Sequence, residues 1–170
     1  MARWYGTFST SWGWVAAIGS ELGIRHASLP EPTPEAALDH LAAPLRKEAP
    51  EHRPGAFEPF RGQLESYFDG GTGRWDVPLD LGDATPFFRR AWAACQTIPA
   101  GETRTYAWLA ARAGNPAASR AAGSAMARNR VPIVIPCHRV LGTDGGLHGF
   151  AGTVGLPLKE RLLRLEGVRR

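Results

Sequence analysis

Ile133-Val134-Ile135-Pro136-Cys137-His138-Arg139-Val140 is the stretch around which the rest of the chain makes sense. Its β-branched run is stiff at χ1 and predicts a short buried strand. Pro136 fixes its own φ and has no backbone N–H, so strand pairing must stop there. A cysteine follows at the strand exit, held by a rigid element as a positioned nucleophile requires. His138 is a candidate base, and Arg139 adds positive charge that favours thiolate over thiol. A half-buried cysteine in a core strand fits the same letters. The flanking sequence has to decide between the two.

The chain has 170 residues, enough for one ordinary domain or two small lobes with a real core. With 44% hydrophobic and 21% charged residues, its composition is that of a soluble globular protein. Only Cys95 and Cys137 occur, with no CxxC and no Cys/His cluster. This excludes a disulfide scaffold and structural zinc, and suits a reducing compartment. Trp14-Val15-Ala16-Ala17-Ile18 is too short and too broken by glycine for a signal sequence or a membrane span. The expectation is a cytoplasmic protein with no membrane association.

Charge is divided unevenly. Residues 1–102 hold 9 Lys/Arg against 13 Asp/Glu, whereas residues 103–170 hold 11 against 3. Between Thr103 and Thr143 lie Arg104, Arg112, Arg120, Arg128, Arg130 and Arg139, with no acid at all. A field of one sign around the cysteine points to a polyanionic partner, nucleic acid first among them.

In the first half, residues 4–8 and 14–18 flank Ser9-Thr10-Ser11-Trp12-Gly13 as a hairpin, and Gly23–Ala27 reads as a third strand. Thr33-Pro34 is an N-cap followed by proline at the first helical position, opening a helix near Glu35–Ala43. Pro44 to Gly55 reads as a connection. Phe57, Phe60, Leu64 and Phe68 fall at helical spacing, Gly70-Gly71-Thr72-Gly73 ends that helix, and Trp75, Val77 and Leu79 alternate as a strand. His26, His40 and His52 have no partners at ligand spacing. The half from 1 to 82 is a structural α/β lobe.

Thr85-Pro86 repeats the cap signature and starts a helix to about Thr97, with Cys95 on its apolar face as a small buried hydrophobe. A further helix runs from Tyr106 to Ala113. Gly114-Asn115-Pro116 stops it and starts another, Pro116 to about Arg128, which makes a helix-turn-helix. Ala117, Ala118, Ser119, Ala121, Ala122, Gly123, Ser124 and Ala125 leave that second helix almost without bulk. So thin a helix brings its backbone close to another helix or to a nucleic-acid groove. Few side chains suited to base edges are present, so contact would follow backbone and shape, including a minor groove. The last helix, Pro157 to Glu166, carries Leu158, Leu162 and Leu165 and stops at Gly167. Glu166 lies where the helix dipole disfavours an anion, and a nearby His138 would compensate.

Gly101-Glu102-Thr103-Arg104-Thr105-Tyr106, Asn115-Pro116 with Arg120, Asn129, Ile135-Pro136-Cys137-His138-Arg139-Val140 and Leu162-Leu163-Arg164-Leu165-Glu166 together resemble one family. It is the O6-alkylguanine-DNA alkyltransferases, also called methylated-DNA–protein-cysteine methyltransferases. The close resemblance covers about residues 83–167, and the preceding lobe is similar to the family's variable amino-terminal domain. It implies an α+β protein, with a structural lobe over 1–82 and a mainly helical alkyltransferase domain over 83–170.

The resemblance further implies a cofactor-free, metal-free and irreversible transfer of an alkyl group from guanine O6 in double-stranded DNA to Cys137. Each molecule would act once, as a monomer. By the match, His138 takes the thiol proton through a water, Glu166 orients the imidazole, and Asn129 ties the turn at the nucleophile to the helix-turn-helix. Tyr106 matches the tyrosine that hydrogen-bonds guanine N3, and Arg120 the finger that fills the gap left by the flipped base. Thr105, Ala118, Ser119 and Arg128 are the other candidate DNA contacts. Val140, through its carbonyl, and Ala151, through its amide, match walls of the base pocket, which Phe150 and Met126 complete with Tyr106. Many family members have Tyr-Ser or Tyr-Gly where this chain has Phe150-Ala151, so a hydroxyl contact is lost.

Two readings from other classes compete. A non-catalytic helix-turn-helix sensor or regulator would account for the basic stretch, but damage sensors of this kind lack the cysteine. A cysteine hydrolase would use Cys137, His138 and Glu166 but leaves the arginines unexplained.

Overall fold

The computed structural model describes residues 1–70, 72, 74–147 and 155–169. Backbone proximity divides the chain into two units. One comprises Met1–Leu81 with Arg130–Pro132, the other Gly82–Asn129 with Ile133–Arg170.

In the first unit, β1 (Arg3–Thr10) and β2 (Gly13–Ser20) form the expected hairpin, and β3 (Gly23–Ala27) pairs antiparallel with β2. A two-residue strand, β4 (Glu51–His52), adds in parallel to β1, giving the order β3-β2-β1-β4. Side chains alternate between the faces of the sheet. Ala16 and Ile18 pack on Ala37 and Leu41, with Tyr5 and Trp14 beside them. On the opposite face Phe8 meets Phe60 edge-on, and Gly19 lies under Phe57. A Cβ at Gly19 would sit 3.0 Å from the Phe57 ring, so any larger residue there would push the ring aside by a few tenths of an ångström.

The helices show where chain chemistry rules. Thr33 accepts from the Ala36 amide at 3.1 Å, with Pro34 first in α1 (Pro34–His40). The expected connection over 44–55 instead begins inside a helix, α2 (Ala42–Glu48). Pro44 is its third residue, where the missing N–H removes no intrahelical bond. Phe60, Leu64, Tyr67 and Phe68 form the buried face of α3 (Glu58–Gly70). The strand expected through Trp75, Val77 and Leu79 does not form. Pro78 lacks the donor a ladder needs, and a single bridge joins Leu79 to Ile24.

The second unit is mainly helical: α4 (Pro86–Gln96), α5 (Tyr106–Arg112), α6 (Ser119–Ala127) and α7 (Leu156–Leu165). Two short parallel strands, β5 (Arg104–Thr105) and β6 (Val140–Leu141), pair alongside them. Thr85 and Thr105 cap α4 and α5 through the amides of Phe88 and Trp108. α6 starts three residues later than the sequence pattern predicts. The Asn115 side chain takes the Ala117 amide and closes a turn first, and Ala118 is the non-helical N-cap. The small residues of α6 divide by face. Ala122 and Ala125 are buried, and the Trp92 indole donates to the Ala125 carbonyl at 2.8 Å, whereas Ser119 and Arg120 are exposed. α7 ends in a Schellman motif, with Val168 N–H bonded to Leu163 O, Gly167 N–H to Arg164 O, and Gly167 at φ 87. No described helix is long and apolar enough to cross a membrane.

Candidate active site

The buried strand expected over Ile133–Ile135 is a turn. Pro132 and Pro136 bracket three residues, too few for a ladder, and Ile133 takes φ 76, a strained value for a β-branched residue. Pro136 then sits at φ −81, ψ 64, and the Cys137 amide bonds back to Ile135 O at 2.8 Å. This is an inverse γ-turn, which the fixed φ of proline favours. The same Ile135 carbonyl accepts from the Asn129 side chain at 2.7 Å, which ties the turn to the end of α6. Cys137–Arg139 continue as one 3-10 turn, and the Val140 amide closes on Cys137 O. The cysteine is therefore held by turns pinned from α6, with the rigidity a strand exit would have given.

Cys137 is 5% exposed and His138 fully buried. His138 Nε2 lies 2.7 Å from Glu166 Oε1. An ionised carboxylate can only accept, so Nε2 carries the hydrogen and, in the neutral ring, Nδ1 carries the lone pair. Glu166 is the C-cap of α7, and its side chain is fully buried. Arg139 Nε and Nη2 bracket that carboxylate at 2.9 and 2.7 Å, and Nη1 donates to Ile98 O at 2.6 Å. The Arg139 guanidinium and the His138 N–H together offset both the dipole and the desolvation of the anion. Arg139 thus serves Glu166, and not the thiol as its sequence position implied.

Burial pushes the Cys137 thiol above its ordinary range, and the Asn129 hydrogen bond and the Lys159 charge pull it partly back. Burial also lowers His138 below its ordinary 6.5, against the pull of Glu166. Both directions favour the neutral forms, a thiol and an imidazole, at rest. Tyr106, half-buried at the start of α5, is pushed up to about 12 by burial and by the proximity of Cys137 and Cys95. Its hydroxyl remains a donor at any physiological pH.

Cys137, His138, Glu166 and Asn129 are brought together, and Val140, fully buried in β6, follows on the same turn. Thr105 caps α5, Arg120 and Ser119 are exposed at the start of α6, Ala118 is its N-cap, and Arg128 is its exposed C-cap. Met126 lies on the buried face of α6. Phe150 and Ala151 lie outside the described residues. Among the described residues, no group of three or more His, Cys, Asp or Glu could hold a metal. Lys159 escaped sequence analysis. It is 1% exposed, and its Nζ donates to Val140 O at 2.8 Å. Its signal was positional: Lys159 shares a helical face with Leu162, Leu163 and Glu166, in a stripe that should be apolar.

A buried thiol with a His–Glu relay, joined through Asn129 to the second of two consecutive helices, defines a cysteine-nucleophile protein built on a helix-turn-helix frame. Comparison with known proteins gives that class a family. The model described as 6-O-methylguanine DNA methyltransferase, DNA binding domain, matches residues 86–168. The methylated-DNA–protein-cysteine methyltransferase of Methanosarcina acetivorans is 38% identical over 167 residues, 96% of this chain and 98% of that one. The Mycobacterium tuberculosis protein of the same name is 47% identical over 116 residues, 68% of each chain. The crystal structure of Mycobacterium tuberculosis OGT in complex with DNA superposes with a TM-score of 0.79 at 35% identity, covering 96% of this chain and 92% of that one. The chain belongs to the methylated-DNA–protein-cysteine methyltransferase family. These relatives support the alkyl-transfer reading over the non-catalytic regulator.

Proposed function

We propose that this protein repairs double-stranded DNA by moving the alkyl group of an O6-alkylguanine irreversibly onto Cys137. The observation that carries the reading is the His138–Glu166 contact of 2.7 Å, which aims the lone pair of the imidazole away from the carboxylate. The thiol proton passes through a water to His138 Nδ1, and Glu166, held in place by Arg139, stabilises the resulting imidazolium. The sulfur attacks the alkyl carbon, the S–C bond forms, and the C–O6 bond breaks. Tyr106 donates a hydrogen bond to guanine N3 as the base takes on negative charge, and the proton that left the thiol, released from His138 through water, neutralises the departing base. The thioether S–C bond is stable because the thiolate is a poor leaving group from an alkyl carbon, and nothing in the relay regenerates the thiol. Each molecule reacts once.

Cys137 is too buried to reach an atom inside a stacked duplex, so the nucleotide must be turned out of the helix. Arg120, exposed at the start of α6, fills the gap. Thr105, Ala118, Ser119 and Arg128 lie along the two helices as backbone contacts, within a stretch that carries no acid from Thr103 to Thr143. Val140, Met126 and Tyr106, with Phe150 and Ala151, wall the base pocket. All these residues come from one chain, which acts as a monomer in the cytoplasm.

The test is intact-protein mass spectrometry after incubation with duplex DNA containing O6-methylguanine, followed by peptide mapping. The expected result is one added methylene per protein, confined to the peptide holding Cys137 and absent from Cys137→Ser. Tight binding without mass gain would turn the protein into a sensor.

A further inference from the structure

α7 breaks one rule at both ends. Lys159 closes its first turn, where the helix dipole disfavours a cation, and Glu166 caps its C-terminus, where the dipole disfavours an anion. Both side chains are buried on the face that carries Leu162 and Leu163. His138 and Arg139 account for Glu166. The mechanism above does not use Lys159. A lysine at 1% exposure is rare, and its ammonium is strongly disfavoured there unless something in the fold gains by it.

The contact of Lys159 says what gains. Nζ donates to the Val140 carbonyl at 2.8 Å, and the Val140 amide closes the 3-10 turn onto Cys137 O. Lys159 thus grips the residue that completes the turn presenting the nucleophile. We propose that Lys159 is a positioning residue for the transfer: its ammonium orients the Val140 carbonyl toward the base and supplies the positive charge against which the Cys137 thiolate forms. The proposal rests on the transfer reading of Cys137.

The groups around the thiol are few. The Asn129 amide and the backbone of the turn hydrogen-bond the sulfur, and Lys159 pulls on its charge. Cys95 and Tyr106 are near enough for their anionic forms to oppose that of Cys137. His138 is linked to Glu166, and the Arg139 guanidinium is taken up by Glu166 and Ile98 O. Among the described residues, Lys159 is therefore the cation whose charge favours the thiolate.

The test compares full-length wild type with Lys159→Met, Lys159→Gln and Lys159→Arg. Two readouts are followed from pH 6 to 10: the rate at which iodoacetamide labels Cys137, and the single-turnover rate on O6-methylguanine duplex. Labelling reads thiolate formation without any DNA reaction, so it stands even if wild type transfers nothing. The expected result is that K159M moves the thiol titration up by about one unit, a tenfold loss of thiolate at neutral pH. Transfer at pH 7 falls by about the same factor and recovers at high pH, while K159R stays near wild type. K159Q keeps a donor without the charge. It should show the same titration shift, and it replaces K159M if that variant does not fold. Superimposable titrations of wild type and whichever uncharged variant folds overturn the proposal, whatever happens to the rate.

Discussion

The protein contains the same cluster twice. In the first unit Arg25 and His26, adjacent in sequence, share Glu48: Arg25 Nε and Nη2 donate to the carboxylate at 3.0 and 2.9 Å, and His26 Nε2 lies 3.2 Å away. In the second unit His138 and Arg139, again adjacent, share Glu166. The differences assign the work. Arg25 reaches on to Asp80 at 2.9 Å, and Asp80 accepts from the Ser20 hydroxyl, so that cluster binds β3 to α2 and to the segment before residue 81. The second cluster has a thiol one residue from its histidine, and its histidine is fully buried where the His26 side chain is 15% exposed. A His–Glu–Arg set is therefore a fold device by default. The proposed chemistry at the second set depends on the thiol that adjoins it in the chain.

That comparison breaks first under matched substitutions. Glu166→Gln should slow single-turnover alkylation by roughly a hundredfold, the lower range of a lost acid–base relay, and also destabilise the chain. Glu48→Gln should destabilise by about 2–4 kcal/mol, as expected when a buried charge loses its partner, with the alkylation rate of the folded protein unchanged. Rapid-quench kinetics and urea midpoints on the same preparations separate the two effects. A slowed Glu48→Gln protein of normal stability would erase the distinction.

Acid sharpens it. Burial lowers His26 below its ordinary 6.5, with Arg130 and Arg25 adding to the effect against the pull of Glu48. As pH falls through 6.5 the unfolded chain binds a proton that the folded one resists, so stability is complete above that pH and declines below it. Burial would raise Glu48, but the hydrogen bonds and charge of Arg25 outweigh it and hold the carboxyl below its ordinary 4.5. Its contribution is present above 4.5 and is lost as pH falls through the lowered value. His138 has the same sign as His26. Urea midpoints between pH 8 and 5 should therefore fall, by at most about 1.4 kcal/mol per pH unit for each histidine, and His26→Gln should remove one share of the slope. A flat profile in wild type would contradict both histidine environments.

The smallest effect is local. Ala49 ends α2 in the left-handed region at φ 45. Ala49→Gly should raise stability by about 0.5–1 kcal/mol, seen as a small increase in Tm without change in rate.

The sequence carried the parts of the fold that local chemistry decides. Thr33-Pro34 and Thr85-Pro86 placed two helix starts, and the Ser9–Gly13 stretch between residues 4–8 and 14–18 placed the hairpin, because caps and turns act over a few residues. Errors fell where a rule depends on position. Pro44 breaks helices in general but not as the third residue of one, and Ile133–Ile135 has strand composition inside a space that two prolines make too short. In the site, Cys137, His138 and Glu166 were legible by resemblance and by the misplaced charge of Glu166. Lys159 was not, because a lysine near a helix start reads as solvated until its face is known to be buried.

The short segment Arg130–Pro132 has a practical consequence for anyone wishing to shorten the protein. The chain leaves the second unit after Asn129, spends three residues with the first, where Arg130 O accepts from the Ala27 amide at 2.8 Å, and returns at the strained Ile133. A gene truncated to begin at Gly82 would encode every proposed catalytic side chain yet leave this detour without its sheet, four residues upstream of the nucleophile. Such a truncated chain should therefore lose stability against the full-length protein, which urea midpoints on the two would show.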